Sequence, residues 1–254
     1  MPPSAYDLTG RTAFVTGAGS GIGRACAVLR AEAGARVHRA DRDADGLDGT
    51  AALIEDHGGT ARAHVVDVTD RSGLAEAVRS CGRPDVLAAI AGITHSSPVL
   101  ETRDEDPDRV LNVNFKDVLY ACQEAARLML AHGTRGSIVT TASGAVDTGG
   151  AGLLRYGAAK AAVIQPTRTP ATGLGPHGVR VDAVAPGRIR TPMTARPGRA
   201  ARAHSEAVTT RMTPLGRVGE PDDVAHTVLY LASDASAFTT GRTLRPNGGV
   251  TMPW

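Results

Sequence analysis

Tyr156 and Lys160 are four residues apart, so on a helix they lie on one face, a single turn from each other. A phenol ionises only near pH ~10 and is a poor proton carrier at neutral pH. An ammonium group one turn away favours the phenolate and draws that ionisation toward the working range. Ser143, 13 residues before the tyrosine, adds a hydroxyl able to hydrogen-bond an oxygen whose charge changes during reaction. Together the three groups could move a proton on and off a carbinol oxygen. Lysine usage singles out the same place. Lys116 and Lys160 are the only lysines, and arginine supplies every other positive side chain. Lysine is the compact cation whose pKa a site can tune; arginine stays charged.

The elements that must position these groups are legible as an alternation. Residues 12–16, 36–40, 63–68, 86–90, 137–141, 179–185 and 243–245 read as strands. Helical patterns fill the intervals, among them a stretch ending at Gly34, one ending near His57, and segments 71–80, 113–132 and 221–231. Pro221 takes the favoured first position of the last of these. Such alternation implies an α/β fold, a doubly wound parallel sheet with helices on both faces. A chain of 254 residues is long enough for one buried core, and no repeat or linker divides it, so residues 1–254 are expected to form a single domain. Segment 194–212, rich in Ala, Arg and Thr, reads as a poorly ordered insert of the kind used for substrate lids.

Composition narrows the function. A net charge of +2 and 3% aromatic residues give no footing for a nucleic-acid partner. No apolar run approaches membrane-spanning length and no signal region opens the chain, so a cytoplasmic protein without membrane contact is expected. Cys26, Cys81 and Cys122 are scattered, without ligand spacing, and read as reduced thiols; no metal site is expected.

The first strand runs straight into Thr16-Gly17-Ala18-Gly19-Ser20-Gly21-Ile22-Gly23. Glycines at a strand-to-helix turn allow positive φ and let backbone approach a pyrophosphate that the helix N-terminus attracts. The spacing departs from the general dinucleotide fingerprint, since Ile22 stands where a third glycine is usual. Asp41 closes the second strand some two dozen residues after Gly17. Its carboxylate either accepts hydrogen bonds from ribose hydroxyls, repelling a 2′-phosphate, or caps the next helix. Arg42 beside it is a cation that a 2′-phosphate could use.

These motifs resemble the short-chain dehydrogenases/reductases. The resemblance continues through Asp67-Val68, Ala91-Gly92, Asn114, Pro186-Gly187, Thr191-Pro192-Met193, Pro214-Leu215-Gly216-Arg217 and Asn247-Gly248-Gly249, covering nearly the whole chain. It implies a Rossmann-like sheet of about seven strands and a catalytic set of Asn114, Ser143, Tyr156 and Lys160. Tyr156 would exchange the proton while hydride passes to or from a nicotinamide. Ser143 would steady the oxygen, and Lys160 would hold ribose hydroxyls and lower the tyrosine pKa. Asn114 would position a water between Lys160 and solvent. The cofactor residues implied are Gly17, Gly19, Ser20, Gly21, Ile22 and Gly23 at the pyrophosphate, Asp41 and Arg42 at the ribose, and Asp67 and Val68 at the adenine. Ala91 and Gly92 would lie along the ribose with Tyr156 and Lys160, and Pro186, Gly187, Ile189 and Thr191 at the nicotinamide end. An acidic residue at Asp41 goes with NAD in the family. Partners are then a small alcohol or ketone and further copies of the chain, as a dimer or tetramer.

Four departures from the family pattern stand out. Ala89-Ile90 replace two asparagines that tie the central strands, Asp182 replaces an asparagine, and Asp117 stands where glycine is frequent. Pro166, Pro170 and Gly173 interrupt the helix after Lys160, predicting a kink or break between residues 165 and 173. The expected activity is NAD-dependent interconversion of a secondary alcohol and its ketone. An NADPH-dependent ketoreductase of carrier-bound acyl chains and a non-catalytic dinucleotide sensor are the alternatives. Small residues at Gly144, Ala145, Gly149, Gly150 and Gly152 leave room for a ring-shaped substrate or make a flexible loop. Arg188, Arg190, Arg196, Arg199, Arg202 and Arg211, against Glu206 alone, suggest a carboxylate on the substrate or a generic cationic surface.

Overall fold

Strand β1, Thr12–Thr16, is buried at all five positions and consists of β-branched and aromatic residues with one alanine, as the middle of a two-sided parallel sheet requires. The structure, a computed structural model, describes residues 4–101, 105–195 and 199–253, of which 105–106 and 199–202 are described as backbone only. Six further strands follow: β2 Arg36–Asp41, β3 Ala61–Val65, β4 Val86–Ala89, β5 Ser137–Thr141, β6 Arg180–Val184 and β7 Thr243–Leu244. All pair in parallel in the order β3-β2-β1-β4-β5-β6-β7. The order reverses between β1 and β4, and a crevice opens beyond the carboxyl ends of strands at such a point.

Among the described residues ten α-helices clothe the sheet: α1 Gly21–Glu32, α2 Ala44–Asp56, α3 Arg71–Arg79, α4 Glu105–Leu111, α5 Asp117–Ala131, α6 Leu154–Ala162, α7 Gln165–Leu174, α8 Pro192–Ala195, α9 Arg199–Met212 and α10 Pro221–Ala232. Alternation along the strands divides the core. Ala13, Val15, Val86 and Ala88 face one layer with Leu47, Val228 and Leu231, while Phe14, Leu87 and Ile138 face Leu74, Val118 and Met129. Each large side chain so buried contributes roughly 1.5–3 kcal/mol.

Three expectations shift. Residues 66–68 leave the sheet after Val65, where the Asp67 carboxylate turns to accept from Thr69 N–H at 2.9 Å. The long helix expected at 113–132 begins earlier, at Glu105, and passes through a π-helical turn at Asn112–Lys116 before α5. The insert at 194–212 is largely helix, α9, with residues 196–198 outside the described set.

No kink or break falls between residues 165 and 173, where one was expected; the α-helical hydrogen bonding is interrupted earlier, at two residues that keep helical dihedrals. Helix α6 ends at Ala162 and α7 starts at Gln165, so the interruption falls at Val163–Ile164, and residues 165–174 are helical. Pro166 has no N–H for the Ala162 carbonyl and its ring crowds that oxygen. Proline is tolerated in the first turn of the helix that follows. Pro170 lies inside α7 without breaking it.

A side chain ties the two central strands together. Thr16 Oγ1, on β1, accepts from Ile90 N–H at 3.0 Å and Ala91 N–H at 3.1 Å, joining β1 to the end of β4.

Candidate active site and cofactor cleft

A cleft of about 430 Å³ opens where the strand order reverses, lined by Gly17, Ser20, Gly21, Ile22, Gly23, Asp41, Arg42, Asp67, Val68, Ala91, Gly92 and Thr191, all expected there from the sequence. Gly17 and Gly21 have φ of +70° and +50°, the left-handed region that favours glycine. A Cβ on Gly17 would sit 2.8 Å from Ala91 Cα, and one on Gly23 would collide with the Gly17 carbonyl. The backbone is thus bare along the cleft floor. Helix α1 begins here with no acidic residue in its first turn and no side-chain cap from Ser20, so its amides and dipole are left for an anion.

Asp41 Oδ2 accepts from Gly19 N–H at 2.9 Å and Oδ1 from Asp43 N–H at 3.1 Å. Asp43, not Asp41, caps α2, its carboxylate accepting from Gly46 N–H. The capping alternative for Asp41 therefore falls away. Arg42 leans toward Asp67 at 3.9 Å, a pair exposed enough to contribute little stability.

The residues expected to carry the proton lie beside this lining, where Gly92 meets Asn114 and Lys160. Ser143 follows β5 in extended conformation, and its Oγ accepts from Ala145 N–H at 3.2 Å, opening the short turn Gly144–Val146. Tyr156 and Lys160 share a face of α6. Lys160 is buried and donates from Nζ to the Thr141 carbonyl of β5 at 2.8 Å. Asn114 is fully buried in the π turn. Its Oδ1 accepts from Ile93 N–H at 3.1 Å, and its Nδ2 donates to the carbonyls of Ile93 at 3.0 Å and Val110 at 3.1 Å.

One electrostatic expectation is corrected. Burial raises the Tyr156 pKa, and a hydrogen bond with Ser143 opposes that only in part. The Lys160 ammonium donates to Thr141, and burial outweighs what lowers the phenol. Burial lowers Lys160 itself to about 8, against support from the Asp117 carboxylate.

Other expected residues lie at the margins. Gly19 turns its N–H to Asp41 instead of lining the cleft. Pro186 accepts from Gly144 N–H at 2.9 Å, Gly187 packs on Asn247, and the Ile189 side chain is buried in the core. Of the arginines near the lid, Arg190 pairs with Glu206 and Glu220, so its charge is already answered. Arg188 is half-buried and Arg211 exposed; the side chains of Arg196, Arg199 and Arg202 lie outside the described residues.

Sequence reading missed the brace behind Ser143. Arg245, at the end of β7, grips Asp147 with Nε at 2.7 Å and Nη2 at 3.1 Å, a bidentate pair that fixes the turn following the serine. Nothing in the local sequence joins residues 98 positions apart. It also missed Arg155, buried next to Tyr156 and 2.7 Å from His95 Nδ1. Among the described residues no cluster suits a metal ion, all three cysteines are free, and no helix is long and apolar enough to cross a membrane.

Comparison with known proteins agrees with this arrangement. A family profile described as enoyl-(acyl carrier protein) reductase matches residues 17–251. The 3-oxoacyl-(acyl-carrier-protein) reductase FabG of Thermotoga maritima is 39% identical over 249 residues, covering 96% of this chain and 99% of that one. The (3R)-3-hydroxyacyl-CoA dehydrogenase of Rattus norvegicus is 38% identical over 257 residues, covering 96% and 98%. A short-chain type dehydrogenase/reductase from Mycobacterium marinum shares the fold at a TM-score of 0.92 and 36% identity over 98% of each chain. With one parallel seven-stranded sheet, a glycine-floored cleft and full-length relatives of this kind, the chain belongs to the short-chain dehydrogenase/reductase family of oxidoreductases.

Proposed function

We propose that this protein is an NAD-dependent dehydrogenase that interconverts a secondary alcohol and its ketone. The observation that carries the cofactor choice is Asp41. Its carboxylate is oriented at the cleft wall by two backbone N–H groups, and ribose hydroxyls can donate to its remaining lone pairs. A 2′-phosphate would meet that negative charge, while Arg42 leans away toward Asp67. The bare glycine floor and the uncapped start of α1 suit a pyrophosphate.

The nicotinamide ring, when bound, supplies or accepts the hydride. Everything else is asked of the chain. Tyr156 gives a proton to the substrate oxygen in reduction and takes it in oxidation, and Ser143 hydrogen-bonds the same oxygen. Lys160, anchored on Thr141, presents a positive charge along the cofactor ribose. Asn114, locked by three backbone hydrogen bonds, keeps the wall behind Lys160 in place.

The same constellation serves a ketoreductase of acyl thioesters, a reading favoured by the similarity to the acyl-carrier reductase. Initial rates with NAD(H) and NADP(H) on a panel of cyclic ketones, acyclic ketones and an acetoacetyl thioester separate the two. NAD is expected to lead NADP by at least about tenfold in kcat/KM, roughly 1.4 kcal/mol of transition-state stabilisation. Preference for NADP with thioester turnover would replace this reading with the second. Nucleotide binding without turnover of any ketone would point to a sensor instead.

A further inference from the structure

Asp117 places a buried carboxyl group behind the residues just described. It opens α5 directly after the π turn, one turn beyond Asn114, and is 2% exposed; Lys160 is 3% exposed. Asn114 and Lys160 converge on Gly92, where a Cβ would stand 2.8 Å from Asn114 Oδ1 and 3.4 Å from Lys160 Nζ. Gly92 lines the cleft. Asp117 thus follows, by one turn of the same helical run, the residue that meets Lys160 at the cleft wall. Its Oδ1 accepts from the adjacent Val118 N–H, which holds the carboxyl at the helix start.

Lys116 precedes Asp117 in the chain, Lys160 on α6 and Asp67 after β3 are the charges that act on it, and Cys122 follows on its own helix. On the α3 side the charged groups lie further along α5, with Arg71 over Tyr120 and Arg79 paired to Glu124. A carboxylic acid shut away with one ammonium is poised between its two forms. Burial raises Asp117 to about 8, while Lys160 pulls it down. Loss of its proton steadies the ammonium; gain of a proton releases that support.

Resting on the reading of the cleft as a nicotinamide nucleotide site, we propose that Asp117 is a positioning residue that titrates with the cofactor's charge. It sheds its proton to solvent when the oxidised, cation-bearing nucleotide occupies the cleft beside Lys160. It takes one back when the reduced, neutral-ring nucleotide replaces it. Asp117 would then hold the lysine charged in the state from which alcohol is oxidised, without touching substrate.

Proton counting tests this directly. Binding of NAD⁺ and of NADH is measured by calorimetry at pH 7.5 in two buffers of different ionisation enthalpy, for wild type, Asp117→Asn and Asp117→Ser. If the phosphorylated nucleotides bind better, the same comparison is made with NADP⁺ and NADPH. Wild type should release more protons with the oxidised form, by a measurable fraction of a proton, because burial keeps part of the Asp117 population protonated at that pH. In both variants this difference should vanish while affinity for the reduced form stays within about threefold. Equal proton release by wild type with both forms overturns the proposal. So does a difference that survives in Asp117→Asn with normal binding, and in that case the functional reading stands. Failure of all four nucleotides to bind wild type removes the reading and the proposal together.

Discussion

Replacing Tyr156 by phenylalanine deletes one oxygen and keeps the ring that α6 packs. NADH affinity should persist while kcat falls by more than about tenfold, equivalent to at least roughly 1.4 kcal/mol at the transition state. Fluorescence of bound NADH and steady-state rates on the same preparation check both halves. The raised tyrosine pKa adds a direction. The phenol is kept protonated through the neutral range, so ketone reduction should be flat there and decline only in alkali. Alcohol oxidation should climb with pH across that interval. A reduction rate that already falls between pH 6 and 8 would assign the proton to another group.

At the scale of elements, the sequence showed the strands and the residues at their ends, because alternation and glycine punctuation are local signals. Gly17 and Asp41, singled out from the sequence, both line the cleft, and Ser143 and Lys160 lie beyond the end of β5 and on α6. What it could not show depended on packing between distant segments. The π turn that carries Asn114 has no residue signature, and the Arg245–Asp147 brace spans the fold. The ammonium was expected to serve the tyrosine because spacing reveals proximity, yet the Thr141 carbonyl is brought to Lys160 only by the folded sheet. The helix after Lys160 illustrates the opposite limit. Proline foretold a break between residues 165 and 173, but the ring acts on the carbonyl four residues back, so only the hydrogen bonding before it is interrupted. Pro166→Leu should therefore close the gap between α6 and α7, and Pro170→Leu should add less. A rise in Tm of a few degrees for Pro166→Leu alone is expected, against a ceiling of about 3 kcal/mol for an interior proline. Equal melting temperatures for wild type and Pro166→Leu would mean that the interruption is imposed by packing.

The molecule as a whole is squeezed from both sides of neutrality. His38 and His64 stack across β2 and β3 with ring nitrogens 3.0 Å apart, and burial holds His38 down to about 4. The His38 contribution is present above about pH 6.5, the unfolded value, and is lost as pH falls through about 4. Two buried acids act from the other direction. Asp182, fully buried with Oδ2 lacking a hydrogen bond but 3.6 Å from Arg180 Nη1, is raised by burial to about 6 against the pull of Arg180, and Asp117 is raised by burial to about 8. Each favours the fold below about pH 4, the unfolded carboxyl value, and that contribution is lost as pH rises through its folded pKa. Asp182→Asn should abolish the loss of stability that accompanies ionisation as pH rises through about 6, read as a flatter profile of Tm against pH. The double variant Asp117→Asn/Asp182→Asn should move the maximum of Tm against pH to higher pH in scanning calorimetry. An unmoved maximum would show that solvent already reaches both carboxyls.

Lys160 is tied to Thr141 on β5, and Ser143 leaves that same strand, which is flanked by β4 and β6 in the middle of the sheet. Helices α8 and α9, which the proposed function would use as a substrate lid, hang instead from the loop after β6, near the two-residue edge strand. Warming should therefore separate grip from chemistry. Edge segments open with small free energies, whereas central strands open only with the whole fold. As temperature rises toward the melting point, KM should drift upward while kcat keeps following its own activation barrier. The rate constant should break only where circular dichroism does, so the protein would fail on heating first by losing its hold on substrate.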